Sequence, residues 1–108
     1  MKEELLITYL KAHCTGKRNI QTRAQVARAL RLTDNELQRL IHRLRVRGVP
    51  IASSRDGCYY AANASEIFST IQLLVNMVDG LNESIEGLKA SMEGFTEGPG
   101  NSGGDASG

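Results

Sequence analysis

TRAQVARALRLTDNELQRLIHRLRVRGVPI, Thr22 to Ile51, carries two helix starts in close succession. In a capping box, a threonine side chain accepts from the amide three residues on, and a Gln or Glu there bonds back to the threonine amide. Thr22 with Gln25 fits this pattern, and so does Thr33 with Glu36. The first helix must therefore end before the second begins, which puts a turn between Leu30 and Thr33. Two helices joined so tightly make a helix-turn-helix.

In the later helix Leu37, Leu40, Ile41 and Leu44 stand at i, i+3, i+4 and i+7, a single apolar stripe. The opposite side holds Asn35, Gln38, Arg39, His42 and Arg43. All five can donate to base edges or phosphates, and Asp34 and Glu36 lie toward the start and the flank. Gly48 is a favoured residue just past a helix end, and Pro50 prevents continuation. Upstream, Leu5, Leu6, Tyr9 and Leu10 share one face of a helix expected over 2–13, followed by the polar loop CTGKRNIQ with Gly16. Val26, Ala27 and Leu30 give the short helix after Thr22 its buried side. Downstream, Ile51-Ala-Ser-Ser and Cys58-Tyr-Tyr-Ala-Ala read as two short strands around the turn Arg55-Asp56-Gly57.

The chain has 108 residues and is 41% hydrophobic, enough for one modest core but not for a large catalytic cleft. Its net charge of +1 conceals a division. Residues 1–62 carry 12 Lys or Arg against 5 Asp or Glu, for +7; residues 63–108 carry 1 against 7, for −6. Nine of the twelve basic groups in the first part are arginines, whose planar fork suits phosphates and guanine edges. A solvated helix face can be basic, and Arg43 can complement the end of its helix dipole. Seven arginines and no lysine between Arg23 and Arg47 exceed what solubility requires, and a polyanion is the expected partner.

Cys14 and Cys58 lack the spacing of a zinc site or a disulfide framework and read as small buried residues. His13 and His42 have no metal-spaced partners. No metal, cofactor or small-molecule ligand is expected, and no residue set for catalysis is read, so the protein is not expected to be an enzyme. With no run of apolar residues long enough for a membrane helix and an acidic, periodic start, a soluble cytoplasmic protein is expected.

Residues 22–60 resemble the winged helix-turn-helix, in particular the type found in biotin-repressor-like regulators and in many small phage proteins. The resemblance rests on V-A-x-x-L at 26–30, L-T-x-x-E-L at 32–37, I-x-x-L-R-x-x-G-V-x-I at 41–51 and G-x-Y-Y at 57–60. It implies that the helix after Thr33 enters the major groove, with Asn35, Gln38, Arg39, His42 and Arg43 as readers. It also implies that Arg55 lies at a wing tip, and that Lys17, Arg18, Thr22, Arg23 and Thr33 hold the backbone. Arg45 and Arg47 point sideways. There are two departures from the pattern. Arg31 stands where glycine is common, so either the turn avoids a left-handed residue or Arg31 adds a phosphate contact. Cys58 precedes the tyrosine pair, where it could shift the register of the wing.

From Asn63, which with Glu66 suggests a further capping box, no proline occurs before Pro99. Ile67, Ile71, Leu74, Val78, Leu81, Ile85, Leu88, Met92 and Phe95 recur at alternating steps of 4 and 3. Ile71, Val78, Ile85 and Met92 occupy heptad a, while Leu74, Leu81 and Leu88 occupy d, a choice that favours a parallel two-stranded coiled coil. Phe68, Val75 and Met77 widen the stripe between 67 and 78, which is expected to pack on the basic half, against the first helix. Beyond Asp79 the stripe narrows to a seam with nothing in its own small domain to cover it. Gly80, Gly87 and Gly94 at c each cost the helix about 1 kcal/mol relative to alanine, so association must compensate. Gly80, Ser84, Gly87 and Ser91 either form a small-residue stripe that admits more chains or are solvent-facing.

The expected fold is mainly α with a small β-hairpin wing: a winged helix-turn-helix over 1–62, a coiled-coil oligomerisation helix over 63–95, and a disordered Gly/Ser-rich tail over 96–108. The expected function is that of a homodimer or tetramer that binds double-stranded DNA. Transcription regulation or phage or plasmid DNA organisation, in a bacterial cell or phage-infected host, would be its role. The alternative is an adaptor that uses the same fold to bind an acidic protein.

Overall fold

Both threonine boxes close. Thr22 Oγ1 accepts from the Gln25 amide at 3.1 Å, and Gln25 Oε1 accepts from the Thr22 amide at 2.8 Å. Thr33 Oγ1 accepts from the Glu36 amide at 3.1 Å, and Glu36 Oε1 accepts from the Thr33 amide at 2.9 Å. In the computed structural model, which describes residues 2–95, these boxes start α2 (Arg23–Leu30) and α3 (Asp34–Val46). Before them come α1 (Lys2–His13) and a 3₁₀ turn (Lys17–Asn19); after them come β1 (Ile51–Ser54), β2 (Gly57–Tyr60) and α4 (Ala64–Ser91). The expectation of a disordered tail over 96–108 lies outside the described residues. Among these, no helix is long and apolar enough to cross a membrane. The chain is thus mainly α with one two-stranded hairpin and a long C-terminal helix.

Two compact units divide inside α4, between Leu73 and Leu74. The first has its core where the apolar faces of α1, α2 and α3 meet the hairpin. Leu6, Leu10, Val26, Leu37, Leu40, Ile41, Leu44, Ile51 and Tyr59 are all buried there, as are Cys14 and Cys58. Both cysteines are free, and burial pushes the Cys58 thiol up to about 11, so it is neutral at physiological pH. Leu5, expected on the buried face of α1, is exposed, because Leu6 and Leu10 already fill the space facing α3 and β2.

The turn between α2 and α3 does use a left-handed residue. Arg31 has φ 58° and ψ 46°, its amide donates to the carbonyls of Ala27 and Arg28, and the Leu32 amide returns to Ala27 O at 2.8 Å. That closes the end of α2 as glycine would, but with a Cβ in a disfavoured conformation. Arg31→Gly is therefore expected to raise unfolding stability by up to about 1 kcal/mol, because relief of strain outweighs the added freedom of the unfolded chain. Urea unfolding checks this, and a loss of stability would mean that the Arg31 side chain itself holds the turn.

The hairpin pairs Ile51 with Tyr60, Ala52 with Tyr59, Ser53 with Cys58 and Ser54 with Gly57 in an unbroken antiparallel register. Cys58 thus takes an ordinary ladder position and shifts nothing. The free edge of β2 is stitched to the α1–α2 connection. The Cys58 amide donates to Gln21 O at 3.0 Å, the Tyr60 amide to Cys14 O at 2.7 Å, and the Gly16 amide to Tyr60 O at 2.8 Å. An exposed strand edge is thereby covered.

The start of α4 is held by polar bonds. Asn63 Oδ1 accepts from the Glu66 amide at 3.0 Å. The Glu66 carboxylate passes over the Asn63 amide and accepts from the amides of Ala62 at 2.7 Å and Lys17 at 2.9 Å. These two bonds hold its pKa below the usual carboxylate range. Thr70, 5% exposed, accepts from the Ser53 amide at 3.1 Å. Thr70 and Glu66 therefore turn one side of α4 to the hairpin and the 3₁₀ turn. The apolar docking expected of the stripe over 67–78 therefore fails at its start: Ile67, Phe68 and Ile71 are exposed, on a side the polar pins turn away from the core.

In the second unit α4 continues to Ser91, where the α-helix gives way to a 3₁₀ turn over Met92–Gly94. Ser91 Oγ donates back to Leu88 O at 2.7 Å, and Gly94 has the weak helix preference of its type. Met92, the last a residue of the heptads, thus lies beyond the α-helix. Leu74, Val78, Leu81, Ile85 and Leu88 are all exposed along it. Among the described residues, apart from the helix's own nearby backbone, nothing lies within 4 Å of a Cβ placed on Gly80 or Gly87.

Candidate nucleic-acid interface

α3 turns Leu37, Leu40, Ile41 and Leu44 inward, and this fixes what it shows outside. Asn35, Gln38, Arg39, His42 and Arg43 are all exposed, and the last four line one shallow, open depression. Among the described residues, the side chains of Asn35, Gln38, Arg39 and His42 have neither a hydrogen bond nor an ion pair within the protein. Their donors are free for a partner.

Arg43 differs from its neighbours. Its Nε lies 3.6 Å from the Glu3 carboxylate of α1, and Glu3 also pairs with Arg47. Close by in sequence, Lys2 reaches Glu36 at 3.3 Å. The start of α1 therefore supplies counter-charges along one flank of α3. The Glu36 carboxyl lies below the usual range, first because of its bond from the Thr33 amide and then because of Lys2. Arg45, read from the sequence as pointing sideways, is turned inward. Its Nε donates to Ile51 O at 2.8 Å and its Nη2 to Ser53 Oγ at 2.6 Å, tying the end of α3 to β1. Burial lowers its pKa, yet its guanidinium remains charged, so each of those bonds is charge-assisted.

The remaining candidates spread over three elements. Lys17 and Arg18 sit exposed in the 3₁₀ turn, Arg23 opens α2, and Arg55 occupies the two-residue hairpin turn. Lys17 is the least free of these, since the Glu66 carboxylate bonds its amide and lies near its charge. The Thr22 and Thr33 hydroxyls already accept from amides in their boxes, which leaves each only its own hydrogen to offer a phosphate. Sequence reasoning missed the roles of Glu3 and Arg45. Each depends on a partner brought close by folding, for which no local pattern exists. No family model, curated protein or solved structure matches this chain.

Proposed function

We propose that the first unit is a winged helix-turn-helix that binds double-stranded DNA through the outer face of α3. In this reading the hairpin is the wing, with Arg55 at its tip, and α4 joins two copies, or a higher even number, as a coiled coil. The role is transcription regulation or the organisation of phage or plasmid DNA. The observation that carries this is the set of unpartnered donors on α3. Glu3 answers Arg43 and Arg47, and Arg45 is tied to β1, but Gln38, Arg39 and His42 face outward together with no acceptor among the described residues.

The test is fluorescence anisotropy of a labelled duplex with the full chain at low and near-physiological salt. Binding should weaken steeply as salt rises, because phosphate contacts release counterions. After selection of a preferred sequence, Arg39→Ala is expected to lower discrimination at particular base pairs by about 1–3 kcal/mol, whereas Lys17→Ala should weaken all sequences alike. No binding to any duplex at low salt would refute the proposal and turn attention to an acidic protein partner.

A further inference from the structure

On α4 the heptad seam separates two unlike flanks. With about 100° between successive residues, Thr70 and Glu66 lie on one side of the Ile67–Ile71–Leu74 stripe, and Phe68 lies on the other, about 160° from Thr70. The flank of Thr70, heptad g, is taken by the chain's own hairpin through the Ser53 bond. Phe68, at heptad e, is 60% exposed, although it is one of only two phenylalanines in the protein. Along the e positions the sequence reads Phe68, Val75, Asn82, Lys89. The flank is thus apolar for two heptads, beginning where α4 is held to the first unit, and polar thereafter.

We infer that the e flank of α4, at Phe68 and Val75, is an interaction surface for a second copy of this chain, aligned in parallel, and that it meets the copy's first unit. In a parallel two-stranded coil the e flank of one helix lies beside the g flank of the other. At the height of Phe68 the other copy's g flank is where Thr70 holds its hairpin. The occupant is therefore specified by symmetry. A β-branched a with leucine at d favours two parallel strands, the seam is continuous with the e flank, and the two apolar e residues, Phe68 and Val75, occur only in the first two heptads, while exposed Met77 widens the seam from the g side one heptad after Thr70. An antiparallel pair would set Phe68 beside the polar end of the partner helix. A lone phenylalanine there would have no apolar cover. The contact would fix each basic unit against its neighbour's helix and so set the spacing of the two α3 faces. The inference rests on the coiled-coil part of the proposed function and is independent of DNA.

The experiment is sedimentation equilibrium of the full chain without DNA, comparing the parent, Phe68→Glu and Asn82→Glu, with the unfolding midpoint of the first unit to show that each is folded. Both substitutions place a glutamate at e, but only Phe68→Glu is on the apolar part. It is expected to raise the dimer dissociation constant by about tenfold or more, and Asn82→Glu by less than about threefold. Leu88→Cys, at a d position, should give a disulfide-linked dimer on mild oxidation, as a parallel alignment requires. If the parent associates while Phe68→Glu dissociates no more readily, or if Leu88→Cys does not cross-link, this surface is refuted and the coil itself stands. A monomeric parent refutes both, leaving DNA binding to its own assay.

Discussion

Gly57→Ala is expected to lower the stability of the first unit by about 3 kcal/mol or more, with a fall in Tm of at least about 12 °C. Gly57 has φ 147°, which side chains rarely adopt, and a Cβ there would stand 1.9 Å from Gln21 O, 2.6 Å from Gln21 C and 2.8 Å from Thr22 Cα. All three are backbone atoms, so no rotamer can relieve the overlap. β2 would have to withdraw from the α1–α2 connection, breaking the Cys58 amide bond to Gln21 O and moving Thr22, which caps α2. A change in the hairpin would thereby reach the start of α2. Gly48→Ala serves as the control. Its φ of 90° is also strained for alanine, but among the described residues beyond its chain neighbours nothing lies within 4 Å of the added Cβ, so only the conformational cost of about 1 kcal/mol is expected. Equal losses at the two positions, measured by thermal and urea unfolding, would show that the close approach at Gln21 contributes nothing.

The contrast between these glycines bears on what a sequence reveals. Thr22, Thr33 and Gly48 act on groups within a few residues of themselves, so the ends of α2 and α3 could be read directly from the chain. The inward stripe of α3 was legible for a similar reason: its period is set by the helix alone. Gly57 was readable as a turn glycine, but its approach to Gln21 depends on a strand edge meeting a loop 36 positions earlier. Glu3 with Arg43 and Arg47, Arg45 with Ile51 and Ser53, and Thr70 with Ser53 are of the same kind. Each joins groups whose proximity exists only in the folded unit. The error over Ile67, Phe68 and Ile71 has a definite cause. Periodicity shows that a face is apolar, not which body covers it, and here two polar residues, Glu66 and Thr70, decide the orientation. For the candidate interface, the outward set on α3 was legible, whereas the carboxylate that engages Arg43 was not.

Leu81→Asp combined with Ile85→Asp is expected to abolish self-association, raising the dissociation constant by about a thousandfold or more. Under the proposed function it should also weaken binding to a two-half-site duplex by about a hundredfold, because the second head would no longer bind as part of the same assembly. Both residues are exposed in the single chain, Leu81 at 64% and Ile85 at 47%, and neither belongs to the buried core. In a coiled coil they are adjacent d and a residues, and each aspartate would sit buried beside its counterpart, two like charges taken from water together. The first unit, whose core contains neither residue, should keep its unfolding midpoint. The helix should not keep its content. Gly80 and Gly87 lower its intrinsic stability by about 1 kcal/mol each, and a segment with no packed face has little to offset that. Circular dichroism at 222 nm should therefore weaken in the double variant at every concentration, and in the parent only on dilution below its dissociation constant. A double variant with unchanged sedimentation and unchanged helix content would mean that α4 is stable alone. The heptads would then have to serve some purpose other than joining copies, and the paired α3 faces of the proposed function would lose their physical basis.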